Sequence, residues 1–130
     1  MYLYLNTTER DSFRVALIDK SVVKKDKTIS SARAHSEKLL KTINQLLVQT
    51  KKSVKDIAGI AVVAGPGSFT SLRVGITTAN ALGFALDIPV IGASPETEPA
   101  KVCQFFNKKK NQQIVLPEYG QPPNISLRVK

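Results

Sequence analysis

The run Ile57-Ala58-Gly59-Ile60-Ala61-Val62-Val63-Ala64 is continuously apolar and passes straight into Gly65-Pro66-Gly67-Ser68. A short uncharged run closed by turn residues marks a parallel strand buried on both faces, since helical crossovers must cover such a sheet. Pro66 presets φ, and Gly67 stands where a type II turn needs positive φ. Ser68 or Thr70 can then cap a helix by accepting a bond from one of its unpaired amides. That helix is expected from about Phe69 to Leu86. From Val74 onward it carries no charge, and small or apolar residues surround it. A helix of this kind is buried all round.

The flanking pattern supplies the rest of a sheet. Tyr2 to Leu5 is short and apolar, and Phe13, Val15 and Leu17 alternate with Arg14, Ala16 and Ile18 at period two. Asp19-Lys20-Ser21 reads as a tight turn. Val22 to Ile29 reads as an edge strand whose lysines discourage pairing with other chains. From His35 to Thr50, Leu39, Leu40, Ile43, Leu46 and Leu47 recur at helical spacing, with polar residues between them. Ile88 to Gly92 reads as a further buried strand, its proline near the start where a missing donor is least harmful. The order βββαβαβ predicts an α/β fold, a mixed five-stranded sheet with helices packed on it, of ribonuclease H or actin type. Beyond Gly92, Ala100 to Phe106 is expected as a short helix, and Ile114 to Leu116 as a strand within an extended, proline-rich, basic tail.

At 130 residues one hydrophobic core is expected. A single cysteine, Cys103, allows no internal disulfide, and no Cys and His cluster suits a zinc ion. The longest uncharged stretch, Val74 to Leu86, is too short to span a bilayer. The N-terminus lacks the features of a secretion signal, so the expected location is cytoplasmic, without membrane contact. The formal charge of +9 favours polyanions. It is concentrated at Lys20 to Lys27, at Lys38 and Lys41, at Lys51 to Lys55 and at Lys108 to Lys110.

Gly65, Pro66, Gly67, Ser68, Phe69, Thr70 and Arg73 form the motif whose amides could contact a phosphate at a helix entry. The segment is not a nucleotide-binding phosphate loop, because Thr70 and Ser71 occupy the positions of its Gly-Lys. His35 and Glu37 read as a stabilised helix entry and not as an acid and base pair. In the second helix, Leu72, Ile76, Ala79 and Leu86 can cover the sheet. Ser71, Gly75, Thr78 and Ala85, small residues about a turn apart, would admit a partner helix, so a helix-mediated protein interface is expected.

Three motifs in order resemble the bacterial TsaB (YeaZ) family and, more loosely, the related TsaD proteins. They are Arg33-Ala34-His35-Ser36-Glu37-Lys38-Leu39-Leu40, Gly65 to Arg73, and Ile88-Pro89-Val90-Ile91-Gly92-Ala93-Ser94. Leu116-Pro117-Glu118-Tyr119-Gly120 is similar to the ending of such proteins. The resemblance implies an actin-type N-lobe over residues 1–94, with 95–130 a remnant or replacement of a second lobe. It also implies a non-catalytic scaffold that pairs with TsaD, which transfers a threonylcarbamoyl group to adenosine 37 of tRNAs reading codons that begin with A. The pairing would use helices 36–50 and 70–86, through Leu39, Ile43 and Leu46 on the first and Ser71, Gly75, Thr78, Ala81, Leu82 and Ala85 on the second. A TsaE-type ATPase completes such an assembly, and tRNA would be met indirectly. Self-pairing through the same helices stays open.

Asn6-Thr7-Thr8 replaces the family's Asp-Thr-Ser or Asp-Thr-Thr, removing a carboxylate that actin-like phosphotransferases use near a metal. Pro95 and Pro99 stand where TsaD relatives carry metal-binding histidines. No catalytic residue, metal ligand or cofactor is therefore expected. The alternatives are a small actin-like nucleotide-binding hydrolase and a basic RNA-binding module acting alone.

Overall fold

Period-two alternation in β1 (Tyr2–Asn6) and β2 (Ser12–Asp19) turns Leu3, Leu5, Phe13, Val15 and Leu17 to one side of a sheet and Tyr4, Ala16 and Ile18 to the other. The two strands pair antiparallel, and β3 (Val22–Ser30) pairs antiparallel with β2. The connecting turn places Lys20 at φ 54° and Ser21 at φ 64°, the two positive values of a type I′ hairpin. A bulge follows, with Leu17 opposite Lys25 and Ile18 opposite Val23, so that Lys24 is the extra residue. β3 lies at the sheet edge, as its lysines predict.

The computed structural model describes residues 1–30, 36–67 and 69–106. The expectations on Arg33 to His35, on Ser68, and on the strand, lysine cluster and ending beyond residue 106 lie outside the described residues. β4 (Gly59–Val63) is parallel to β1 and buried at every position, and β5 (Val90–Ala93) is parallel to β4. The five-stranded order is β3-β2-β1-β4-β5. The expected βββαβαβ chain order and mixed sheet are thus present. β4 starts two residues later than its apolar run, because Val54–Asp56 form a short 3-10 turn and Ile57 tucks into the core.

Both faces of the sheet are covered. α1 (Ser36–Gln49) and α2 (Phe69–Leu86) lie on the first face, where Leu39, Ile43, Leu46, Leu47, Leu72, Ile76 and Ala79 join the strands in one core. On the second face the chain returns after β5 through Pro99–Lys101 to α3 (Cys103–Phe106). Val102 is fully buried there, and Phe106 stacks on Tyr2 at 4.5 Å between ring centroids. Both long helices end in the same hydrogen-bond pattern. Lys52 and Lys51 donate to Leu47 and Val48 (2.8 and 3.0 Å), and Ile88 and Asp87 donate to Gly83 and Phe84 (3.0 and 3.3 Å). A residue just past each end, Lys51 (φ 61°) after Thr50 and Asp87 (φ 58°) after Leu86, is left-handed, as this closing motif requires. Among the described residues no helix is long and apolar enough to cross a membrane.

Candidate functional site

The carboxyl ends of β1 and β4 bring together the two turns that the sequence singled out. Asn6 closes β1 with an Asx turn, its Oδ1 accepting from the Thr8 amide at 3.0 Å and from Thr8 Oγ1 at 2.7 Å. The carboxamide thus holds a turn at the position where a metal-directed carboxylate would stand. Its Nδ2 donates to the Tyr4 hydroxyl at 3.5 Å. Burial pushes the Tyr4 phenol above its usual range. The Arg14 guanidinium lies 5.8 Å from the Tyr4 ring centroid and donates to both Asp26 oxygens at 2.9 and 2.5 Å. Those bonds hold the Asp26 carboxyl below the usual carboxylate range. A cavity of about 390 Å³ opens here between Tyr4, Asn6, Arg14 and the segment Pro95 to Ala100. With its arginine bound to Asp26 and Glu96 and Glu98 on its rim, the cavity offers a polyphosphate little attraction.

The β4 to α2 turn packs directly on the Asn6 turn. A Cβ on Gly67 would lie 2.7 Å from Thr8 Cβ, and one on Gly75 would lie 2.2 Å from Thr7 Oγ1. Thr7 is wholly buried, and among the described residues its hydroxyl has no hydrogen-bond partner. The expected type II turn is corrected: the positive φ, 123°, falls at Gly65, which precedes a cis peptide bond to Pro66. Gly67 is required for close approach to Thr8 and not for its φ. Thr70 lies inside α2 and cannot be its N-cap. Pro66, Thr70 and Arg73 are exposed.

The interface assignment needs a larger correction. Leu39, Ile43 and Leu46 are at most 2% exposed and belong to the chain's own core, so a partner cannot reach them. Ser71, Gly75 and Thr78 are also buried, Gly75 against Thr7. Leu82 is half-buried, and only Ala81 and Ala85 of the expected set are exposed. The cause is geometric: the regular apolar stripe of a helix is the one its own sheet takes up first. Outward-facing apolar groups are instead Leu40 and Val48 on α1 and Phe84, 90% exposed, on α2. Leu40, counted with the stripe in the sequence, stands at its edge and is 44% exposed, whereas Val48 and Phe84 depart from the inward stripe, and that departure was the available signal. The two helices touch, and among the described residues nothing covers Thr77, Ala81, Phe84 and Ala85.

A sequence model of the family described as "TsaD: tRNA N6-adenosine threonylcarbamoyltransferase" matches residues 25–111. The chain is 31% identical over 109 residues to "tRNA threonylcarbamoyladenosine biosynthesis protein TsaB" of Buchnera aphidicola subsp. Schizaphis graminum, covering 84% of this chain and 50% of that protein. Its structure is similar to that of YeaZ from Pseudomonas aeruginosa, with a TM-score of 0.65 and 29% identity, over 72% of this chain and 44% of the other. The chain belongs to the TsaD family and is of its TsaB (YeaZ) type. The TsaB-type fold accounts for the sheet order and for the pair of helices on one face. Similarity extends to TsaD proteins: the chain is 47% identical over 64 residues to "tRNA N6-adenosine threonylcarbamoyltransferase" of Tropheryma whipplei (strain Twist), covering 49% of this chain and 16% of that protein. This TsaB-type chain thus spans half or less of the length of these relatives.

Proposed function

We propose that this chain is an accessory subunit in the synthesis of N6-threonylcarbamoyladenosine in tRNA, binding a TsaD-type transferase and contributing no reacting group of its own. The observation that carries the proposal is the uncovered side of α2 beside α1, where Phe84 stands 90% exposed on a helix that carries no charge from Val74 to Leu86. An apolar side chain so exposed on a rigid element suits a partner helix. Leu40 and Val48 are further exposed apolar groups, on α1, and Ala81 and Ala85 leave room for close approach to α2. The Asn6 amide, engaged by Thr8, supports a structural role for the end of β1.

The test is co-purification with the TsaD-type protein of the same organism, together with tRNA modification assayed with and without this chain. Phe84→Asp and Ala81→Glu place charge on exposed positions and should abolish the complex while leaving the fold intact. Normal binding by both variants would sink the assigned surface. Unchanged modification when the chain is omitted would sink the accessory role.

A further inference from the structure

The lysines that the sequence scatters over two distant segments gather at one end of the sheet. Tyr2 pairs with Ile18 on one side and Gly59 on the other, and the Ala58 amide donates to the Met1 carbonyl at 2.7 Å. The β2–β3 hairpin and the α1–β4 connection therefore leave the sheet side by side, about two strand spacings or ~10 Å apart. Lys20, Lys24 and Lys25 on the hairpin, and Lys51, Lys52 and Lys55 on the connection, are all exposed. Among the described residues, the acidic groups at this end are Asp19, Asp56 and Asp87, and Asp56 accepts from the Ser53 amide at 2.8 Å. The opposite end carries Glu9, Asp11, Glu37, Glu96 and Glu98, with Arg10, Lys38 and Arg73.

Two of these lysines stand where a lysine is unfavourable. Lys20 and Lys51 have positive φ, in a type I′ hairpin and a helix-closing position that glycine or asparagine fills more easily. Ser21 and Asp87 at the same end are left-handed too, so the backbone there is not reserved for lysine, and the charge of the ledge lies in the grouping of its lysines.

We propose that this ledge binds the phosphate backbone of tRNA, so that the chain contacts the substrate of the reaction directly. The inference rests on the tRNA-modification reading above. Phosphate contacts need only lysines and hydroxyl or amide donors, and the exposed Ser21 adds a hydroxyl beside Lys20. An anionic membrane is the weaker fit, since the apolar side chains exposed here are Val22 and Val54, without an aromatic or long anchor.

The test titrates the full chain against unmodified tRNA at salt concentrations from about 50 to about 200 mM. The ledge variant is Lys20→Asn, Lys51→Asn, Lys52→Gln and Lys55→Gln, in which asparagine tolerates the left-handed backbone. A control of equal charge loss is Arg10→Gln, Lys38→Gln, Lys41→Gln and Lys101→Gln. Four phosphate contacts lower the slope of log affinity against log salt by roughly 3 to 4, a loss of roughly a hundredfold over that range that the ledge variant should no longer show. The control should keep most of the parent's slope. Equal weakening of variant and control, or binding to vesicles of phosphatidylserine and phosphatidylcholine but not to tRNA, would overturn the proposal. Restoration of the modified nucleoside in cells lacking their own TsaB-type protein tests the parent reading separately. Restoration by the ledge variant as fully as by the parent, with tRNA binding unchanged, removes the ledge alone. Failure of restoration by the parent chain, with ledge-dependent tRNA binding intact, removes only the modification reading.

Discussion

Gly75→Ala tests how α2 is seated on the sheet. Gly75 lies in the second turn of α2, and an added Cβ would lie 2.2 Å from Thr7 Oγ1, 2.9 Å from Thr7 Cγ2 and 3.1 Å from Thr7 Cβ. Thr7 is wholly buried at the end of β1, so relief requires the helix and the turn to separate. Overpacking of this kind costs about 1–3 kcal/mol. Replacing a helical glycine by alanine returns about 1 kcal/mol, so the expected net loss is roughly 0–2 kcal/mol. Thr7→Ala removes both of the nearest atoms. It sacrifices about 1 kcal/mol of methyl burial, but it also removes a buried hydroxyl without a partner, whose desolvation costs about 1–3 kcal/mol. Alone it should be near neutral or stabilising. In the double variant the remaining contact is ordinary after a shift of a few tenths of an ångström, so Thr7→Ala should rescue Gly75→Ala with a coupling of about 1–2 kcal/mol. Urea unfolding followed by far-ultraviolet circular dichroism measures all four proteins, a change in midpoint at constant slope reporting stability. A Gly75→Ala protein clearly more stable than the parent, or a cycle additive within about 0.3 kcal/mol, would refute this seating of the helix.

Adjacent leucines on α1 should behave differently: Leu39→Ala, at a fully buried position, is expected to lose about 2–5 kcal/mol, and Leu40→Ala, at a position 44% exposed, much less, as urea midpoints will show. The Arg14–Asp26 pair contributes above the ordinary aspartate range and loses that contribution as pH falls through the lowered Asp26 value, because protonation then breaks the bonds to Arg14. Since the side chains are 39% and 36% exposed, the effect is at most about 1 kcal/mol. Asp26→Asn should therefore melt lower than the parent at neutral pH and converge with it in acid. Lys51→Gly should raise stability by about 1 kcal/mol, by relieving a left-handed lysine at the end of α1. No gain in the thermal midpoint would count against that backbone reading.

Local chemistry alone determined a good deal of this protein. Alternation in Phe13 to Ile18, the unbroken apolar run before Gly65, and the three and four residue spacing from Leu39 to Leu47 marked the strands and helices and a mixed sheet. These signals are periodic, and the backbone has few ways to satisfy each period. Glycine and proline at 65 to 67 marked the sharp joint between β4 and α2. Only the tertiary structure decided which surfaces face outward. A helical stripe declares that something covers it, without saying whether that is the chain's own sheet or a partner. Here the sheet takes Leu39, Ile43 and Leu46, leaving Leu40, Val48 and Phe84 outside. Tertiary packing likewise set Gly67 against Thr8 and Gly75 against Thr7, contacts between residues nearly 60 and 70 positions apart. It also joined the lysines of a hairpin and of a helix-to-strand connection into one ledge, because β1 lies between the strands those segments serve. Residues distant in the chain become neighbours through strand order, which no local period encodes.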